Sequence, residues 1–342
     1  MVTISVCMIV KNEADILARC LDSLSGLYEE LIIVDTGSTD ETKEIAAQYT
    51  DQIYDFVWCN DFAVARNFAW SKASMEYIYS ADADEVLDEE NYRQFKMLKQ
   101  VLDPAIEIVQ MYYDNQLHNG TVYNFNREYR PKLYKRLRQF VWEDAVHEAV
   151  RFTPLIYDSD ISILHYPKEN HAGRDFSCYQ TQLKKGRRLS LRLYSMYARE
   201  LYLSGSREDY LAAKPYFEAL LKQEDLPDDR RVEAEIILAC CARLCADLAS
   251  FFTQCMHNVA TGQGSAEICY ELGTYYEENG DKEEAAIWYL NAAFETQCYL
   301  NVHCGGDWPL IRLSGCMRAL GRMDEAARYE EMARNWQLPE GD

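Results

Sequence analysis

Three aspartates stand where this chain could do chemistry: Asp35, which closes the run Ile32-Ile33-Val34, and Asp82 and Asp84, in Ala81-Asp82-Ala83-Asp84-Glu85 directly after the run Tyr77 to Ser80. A carboxylate at Asp35 can accept a hydrogen bond from a base N–H. Two carboxylates two residues apart in an extended segment can hold a ribose and a hard divalent cation. Mg2+ and Mn2+ prefer oxygen ligands and commonly bridge one or two carboxylates to substrate phosphates. Any one of these acids would be unremarked as a solvated turn residue; the ordered set, each at the end of a strand-like run, is what points to a site.

The elements that must position them alternate in type. Ile4 to Val10 is a short β-branched run, Ala14 to Ser25 has Ile16, Leu17, Cys20, Leu21 and Leu24 at helical spacing, and Glu30 to Val34 is again strand-like. Asp35-Thr36-Gly37-Ser38-Thr39-Asp40 forms a turn in which Ser38 or Thr39 is expected to cap a helix from Asp40 to Tyr49. Gln52 to Val57 reads as a third strand, Phe62 to Lys72 as a helix and Tyr77 to Ser80 as a fourth strand. This βαβ alternation predicts a mostly parallel sheet, with ligands at the carboxyl ends of its strands. From Pro104 to Pro167 the pattern loosens into strand-like pieces, Ala105 to Tyr113, Tyr129 to Arg136 and Ile161 to Tyr166. The most basic segment, Arg127 to Arg138, lies there with six Lys or Arg in twelve positions.

Beyond residue 175 the periodicity is helical. Leu272, Gly273, Tyr276, Gly280, Ala285, Tyr289 and Ala292 match the small and large positions of a tetratricopeptide unit. A second copy runs through Leu313, Met317, Gly321, Ala326 and Ala333, with Ala326 following Ala285 by 41 positions instead of the usual period of about 34. The segment from Tyr194 to Leu220 fits a repeat only with a small insertion, and Val232 to Ala260 only as generic paired helices. The expected architecture is an α/β domain over residues 1–175 followed by an all-α repeat domain over 176–342.

Composition narrows the function classes. With 56 Asp and Glu against 35 Lys and Arg the net charge is -21, which argues against nucleic acid as a partner, since phosphate contacts need clustered cations. Residues 207–342 hold 25 acidic and 12 basic residues, a balance of -13, leaving -8 for the first 206. No run of 18 apolar residues suggests a spanning helix. Met1 to Val10 reads as a strand and not a signal peptide. The twelve cysteines sit singly or on helix-like runs, as buried thiols of a cytoplasmic protein would. Cys241, Cys245, His257, His303 and Cys304 fit no standard zinc spacing. There is no Walker loop, no G-x-S-x-G and no G-x-G-x-x-G.

The sequence resembles the family 2 glycosyltransferases of the GT-A fold. The motifs are Ser5 to Glu13 (SVCMIVKNE), Ile32 to Asp40 (IVDTGSTD), Ala65 to Ala69 (ARNFA) and Ser80 to Glu85 (SADADE), in that order over about the first ninety residues. The resemblance implies transfer of a sugar from a nucleotide diphosphate donor, usually UDP-linked, with inversion at the anomeric carbon. By position it implies a nucleotide-binding set of Ile9, Val10, Lys11, Glu13, Asp35, Arg66, Asn67 and Asp82. Ile9 to Lys11 and Asp35 would border the uracil, Arg66 and Asn67 the nucleotide or its diphosphate, and Asp82 the ribose. Asp84, with Asp82, would hold Mn2+ or Mg2+. Many members carry a second acid where this chain has Thr36, so the base contact rests on Asp35.

Departure of a diphosphate anion calls for cation and Arg or Lys nearby, and the acceptor must lose a proton to a carboxylate or imidazole within about 3 Å. The segment Trp142-Glu143-Asp144-Ala145-Val146-His147-Glu148 supplies the candidates: Glu148 as base, Asp144 as its alternate, and His147 as third metal ligand or substrate contact. The basic run ending at Arg138 is expected to reach the diphosphate. His165 and Tyr166 end a strand and border the donor site, or serve the core. Repeat arrays usually bind extended peptides in a concave groove, which makes a peptide or protein the first-choice acceptor, ahead of a cell-surface glycan or lipid-linked one. Homo-oligomerisation through the helical domain, and a non-catalytic scaffold, are the other readings.

Overall fold

The computed structural model describes residues 1–114, 128–138, 142–143, 149–150, 154–166, 172–260 and 264–337, the backbone alone at 142–143, 149–150 and 172–174. The chain divides into two compact units, Met1–His171 with Ser177–Thr181, and Ala172–Phe176 with Gln182–Asp342.

The first unit is built on a mixed sheet. Its strands are β1 (Ile4–Val10), β2 (Glu30–Asp35), β3 (Ile53–Asp55), β4 (Tyr77–Ala81), β5 (Glu85–Val86), β6 (Ile108–Asp114), β7 (Glu128–Lys135) and β10 (Ile156–His165), in the order β3-β2-β1-β4-β7-β6-β10-β5. A separate pair, β8 (Trp142–Glu143) and β9 (Ala149–Val150), is antiparallel. The first four strands of the order are mutually parallel. β7 runs against both its neighbours, β10 is parallel to β6, and β5 is antiparallel to β10. The carboxyl ends of β1, β2, β4, β6 and β10 therefore share one edge, together with the first residues of β5 and β7.

The period-two pattern explains why these runs are strands. Along β1, Val6 and Met8 enter one core with Leu17 and Leu21 of α1 (Leu17–Leu24) and Phe95 of α4 (Glu89–Val101). The alternating Cys7 packs on the opposite face against Ala69 and Trp70 of α3 (Phe62–Trp70). Burial on both faces is what a parallel sheet covered by helices requires. α1 has no side-chain cap, so burial of Leu17, Leu21 and Leu24, each contributing about 1.5–3 kcal/mol, holds its eight residues helical. α2 (Thr42–Ala46) is shorter than the sequence suggests and neither Ser38 nor Thr39 caps it. Ser38 Oγ instead accepts from the Asn12 N–H at 2.9 Å, and the Thr39 N–H donates to Asn12 Oδ1 at 2.8 Å, which ties the loops after β1 and β2 together. α4 goes unnamed in the sequence reading, although Tyr92, Phe95 and Leu98 recur at helical spacing and pack on the core.

In the second unit α6 (Leu191–Ser204), α7 (Arg207–Leu221), α8 (Asp228–Leu244), α9 (Leu248–Ala260), α10 (Ala266–Glu278), α11 (Lys282–Phe294), α12 (Asp307–Ala319) and α13 (Met323–Arg334) follow in succession, with α5 (Ala172–Lys184) before them at the boundary. The two repeats are helix pairs, α10 with α11 and α12 with α13. Gly280 (φ +85°) and Gly321 (φ +77°) make the turns, a region that L side chains avoid. The 41-residue spacing arises from residues 295–306 between α11 and α12, which contain a 3-10 turn at Val302–Gly305. Ala285, Ala286 and Tyr289 share a core with Leu313, Cys316, Met317 and Ala326, so the pairs pack as one stack. All twelve cysteines are free thiols. Burial pushes Cys241, Cys269 and Cys316 up to about 11, which keeps them protonated.

The close approach within the first pair is measurable. A Cβ on Gly273 would sit 2.6 Å from the Tyr289 ring, whereas one on Gly315, exposed on α12, would meet nothing within 4 Å. Gly273→Ala is expected to destabilise by about 1–3 kcal/mol through overpacking, and Gly315→Ala to stabilise by about 0.5–1 kcal/mol. Urea unfolding of the two variants checks both signs.

Candidate active site

The shared strand edge gathers the acids. Asp35, the last residue of β2, is 2% exposed, and its Oδ2 accepts from the Gly37 and Ser38 N–H groups at 3.0 Å each. Its Oδ1 is buried and has no hydrogen-bond partner among the described residues. Thr36 turns inward, its hydroxyl donating to the Val10 carbonyl at 3.1 Å, so it closes the β1–β2 edge and leaves Asp35 as the acid of that loop.

Beyond β4 the chain makes the turn Asp82-Ala83-Asp84-Glu85. Asp82 Oδ1 pairs with Arg66 Nη2 at 2.9 Å, and Arg66 Nη1 donates to Ser80 Oγ at 2.9 Å. Asp84 Oδ2 lies 3.1 Å from His165 Nε2. β5 and β10 impose this contact, because their register sets Glu85 opposite His165, and the Tyr166 N–H donates to the Asp84 carbonyl at 2.9 Å. Asp84 Oδ1 is buried and has no hydrogen-bond partner among the described residues. Glu85, 3% exposed, is held by Lys132 Nζ at 2.6 and 2.9 Å from its two oxygens.

Burial works against charge on Asp82, but Arg66 and then Lys132 outweigh it and hold this carboxyl well below the usual carboxylate range. Glu85 goes the other way: burial raises it, Lys132 opposes, and the neighbouring acids Asp82 and Asp84 add to the rise.

The residues present suit a hard divalent cation. Asp84 Oδ1 offers a ligand atom, and the 3.1 Å between Asp84 Oδ2 and His165 Nε2 is close to the about 3 Å between adjacent ligands of an octahedral ion at about 2.1 Å. Among the described residues no three His, Cys, Asp or Glu side chains converge as a metal cluster, so substrate phosphates and water would complete the shell. Asp35, at the end of β2, stands two strands from β4 across β1, about 10 Å at ordinary strand spacing.

Residues 5–161 match the family model described as glycosyl transferase family 2. This stretch is a family 2 glycosyl transferase domain. Among curated proteins the chain is similar to a TPR repeat-containing protein of Synechococcus elongatus, 44% identical over 87 residues, 25% of this chain and 22% of that one. It is also similar to the glycosyltransferase SunS of Bacillus subtilis, 36% identical over 103 residues, 30% of this chain and 24% of that one. The chain thus spans about a quarter of the length of these relatives. Among solved structures, glucosyl-3-phosphoglycerate synthase from Mycobacterium tuberculosis, in complex with Mn2+ and UDP-glucose, is 16% identical with a TM-score of 0.40, over 55% of this chain and 81% of that one.

Within the glycosyl transferase domain, Asp35 ends β2 and Asp82 and Asp84 follow β4, while Arg66 lies on α3 beside Ser80 and Asp82. Val10 is buried at the end of β1, Ile9 half-buried beside it and Lys11 exposed just beyond. Glu13 enters the loop network through its backbone N–H, which donates to Thr42 Oγ1 at 2.8 Å. Asn67 is half-buried on α3. Asp144, His147 and Glu148 lie outside the described residues. The expectation for the basic run needs correction. β7 is antiparallel to β4, so its last residues reach the opposite edge. There Arg136 Nε donates to the Met75 carbonyl at 2.5 Å, Lys135 meets the Pro104 carbonyl and Arg138 meets Glu107. Among the described residues of the run, Arg130 and Lys132, near the start of β7, lie toward the acid edge. Sequence reasoning passed over Glu85 and Lys132, whose partnership no spacing rule connects, and Asp114, which closes β6 opposite Leu164 on the same edge. Among the other metal-type residues, His257 pairs with Glu235 at 2.7 Å, Cys304 lies 3.1 Å from the Tyr202 hydroxyl, and His303 is 2.6 Å from Asp307.

The Arg66–Asp82 pair has a pH signature. A carboxyl held below its unfolded value, about 3.9, contributes stability above that pH and loses it as pH falls through the folded value. Arg66→Met removes the partner. Without Arg66 the burial of Asp82 is less well offset, so Asp82 takes up a proton at a higher pH than the wild-type residue does. The destabilisation by Arg66→Met is expected to be full at pH 7 and to shrink below about pH 4. Urea midpoints of both proteins in EDTA at pH 7 and 3.5 check this; a pH-independent difference would contradict it.

Proposed function

We propose that this chain is a metal-dependent, inverting glycosyltransferase that moves a hexose or N-acetylhexosamine from a UDP-sugar to an acceptor, with a peptide or protein as the favoured acceptor. One observation carries the reading: two buried carboxylate oxygens, Asp35 Oδ1 and Asp84 Oδ1, have no partner among the described residues and lie on one edge of a family 2 glycosyl transferase domain. Buried polar atoms are ordinarily satisfied, and an orphan costs about 1–3 kcal/mol. A ligand with an N–H for the first and a cation for the second answers both.

In this reading Asp35 accepts from the uracil N–H, Asp82 faces the ribose, and Asp84 with His165, joined by Asp82, holds Mn2+ or Mg2+. His165 takes the place first considered for His147. When bound, the divalent cation supplies positive charge to the diphosphate oxygens as the glycosyl–phosphate bond breaks. Arg66 neutralises and orients Asp82, which is a different task from direct contact with the diphosphate. Glu148, or Asp144 in its stead, takes the acceptor proton as the acceptor oxygen attacks the anomeric carbon opposite the leaving group. The acidic helical unit, at -13 over residues 207–342, repels anionic acceptors and favours neutral or basic ones.

UDP release from a panel of UDP-sugars with Mn2+, compared across peptide and glycan acceptors, tests the proposal; no release with any donor would leave the helical unit as an interaction scaffold instead. Asp84→Ala is expected to lower turnover about a hundredfold or more, the scale of lost charge stabilisation, and EDTA to abolish the wild-type rate. Near wild-type turnover in this variant would remove Asp84 from the site. Glu148→Gln is expected to keep UDP-sugar affinity and slow transfer by about a hundredfold. Should Asp144→Asn abolish transfer while Glu148→Gln does not, the base is Asp144.

A further inference from the structure

Lys132 and Glu85 form a buried ion pair at the turn that carries Asp82 and Asp84, 5% and 3% exposed. A buried pair seldom adds stability over an apolar pair of the same size, so its presence here asks for another purpose. The geometry supplies one. Lys132 Nζ lies 2.6 and 2.9 Å from the two oxygens of Glu85, and Glu85 Oε2 also accepts from the Asp82 N–H at 3.2 Å. The Glu85 N–H donates in turn to the Asp82 carbonyl at 3.2 Å. Both ends of the turn that carries Asp82 and Asp84 are thus tied to one carboxylate, and that carboxylate is tied to β7. The ammonium is confined between the Tyr79 and Tyr113 rings, 5.7 and 5.8 Å from their centroids, so it has little freedom to release Glu85. Charge follows the same logic. Asp82, Asp84 and Glu85 bring three negative charges into four residues, and Arg66 and Lys132 return two. One net negative charge can receive a divalent cation and still admit an anionic diphosphate; three would repel it.

We propose that Lys132 is a positioning residue of the cation site, acting through Glu85 to fix the Asp82–Asp84 turn and to offset its charge. This rests on the reading of Asp84 and His165 as cation ligands, and it concerns a residue that touches neither cation nor donor.

The full chain is titrated with Mn2+ at saturating UDP and free Mn2+ is read by electron paramagnetic resonance, with thermal melting recorded alongside. Wild type is expected to take up Mn2+. Lys132→Met is expected to bind it at least about tenfold more weakly, the scale seen when partners of metal ligands are removed, and Lys132→Arg to recover most of the loss. In turnover, Lys132→Met should raise the metal concentration needed for half-maximal rate far more than it lowers kcat at saturating metal. Breaking a buried pair can unfold a protein, so Lys132→Met/Glu85→Met, which leaves no lone charge, and the near-isosteric Glu85→Gln are measured as well. Both are expected to be weak for Mn2+ even where they melt like wild type. Wild-type Mn2+ affinity in any folded variant that lacks the pair would overturn the inference and leave the pair a purely structural one. Wild type that takes up no Mn2+ with UDP would instead overturn the metal reading itself, and this inference with it.

Discussion

Three carboxylates within four residues repel one another, and much of the first unit is arranged to keep them together. Asp82, Asp84 and Glu85 each have a dedicated partner from a different element: Arg66 from α3, His165 from β10 and Lys132 from β7. None of those partners is near the turn in sequence. Each arrives because a strand or helix is packed in one register, and a one-residue slip in a strand would turn its side chain to the other face. The apolar cores on the two faces of the sheet therefore do more than stabilise: they fix the phase of β7 and β10, and with it the identity of the groups that face the acids.

This explains how much of the site could be read from the sequence. Asp35, Asp82 and Asp84 were legible because a strand run followed by an acid is a local pattern, and parallel strands put their carboxyl ends on one edge. The parallel sheet and the helical second half were legible for the same reason, since periods of two and 3.6 are local. Strand order is not local. Nothing in Arg127 to Arg138 says that β7 enters between β4 and β6 in the reverse direction, yet that reversal sends Lys132 to the acids and Arg136 and Arg138 to the far edge. His165 could be placed at a strand end, but its choice between core and site depended on β5, a two-residue strand too short for any pattern to reveal.

The helical unit gives the complementary lesson. Gly273, Gly280 and Gly321 were informative because their lack of a side chain has one physical reading at each place: a ring packed against the backbone in the first case and a positive φ in the other two. The long period was legible as a number but not as a structure. Residues 295–306 fold back as a connector that Glu267 anchors, its Oε1 accepting from the N–H groups of Tyr299, Leu300 and Asn301 at 2.8, 2.6 and 3.0 Å. A buried glutamate on the inner side of a helix looks in sequence like a misplaced surface acid; here it satisfies backbone donors that the connector could not otherwise bury.

A comparison of acids within the first unit separates structural from functional burial. Glu30, at the opposite end of β2 from Asp35, receives Ser5 Oγ and the Ser74 N–H on one oxygen and Ser74 Oγ on the other. Asp40 likewise divides its oxygens between the Ala14 N–H on one side and the Thr42 N–H and hydroxyl on the other. Both are saturated by the loops they hold, so both are explained by folding alone. Asp35 and Asp84 spend one oxygen on their own loop or strand partner, and the other is buried with no partner among the described residues. Folding gains nothing from the second oxygen, and a buried acceptor without a donor is a cost that substitution by Asn or Ser would relieve. Among the described residues, these two acids alone combine that penalty with a place at the end of β2 or just beyond β4, and the proposed donor and cation would answer it.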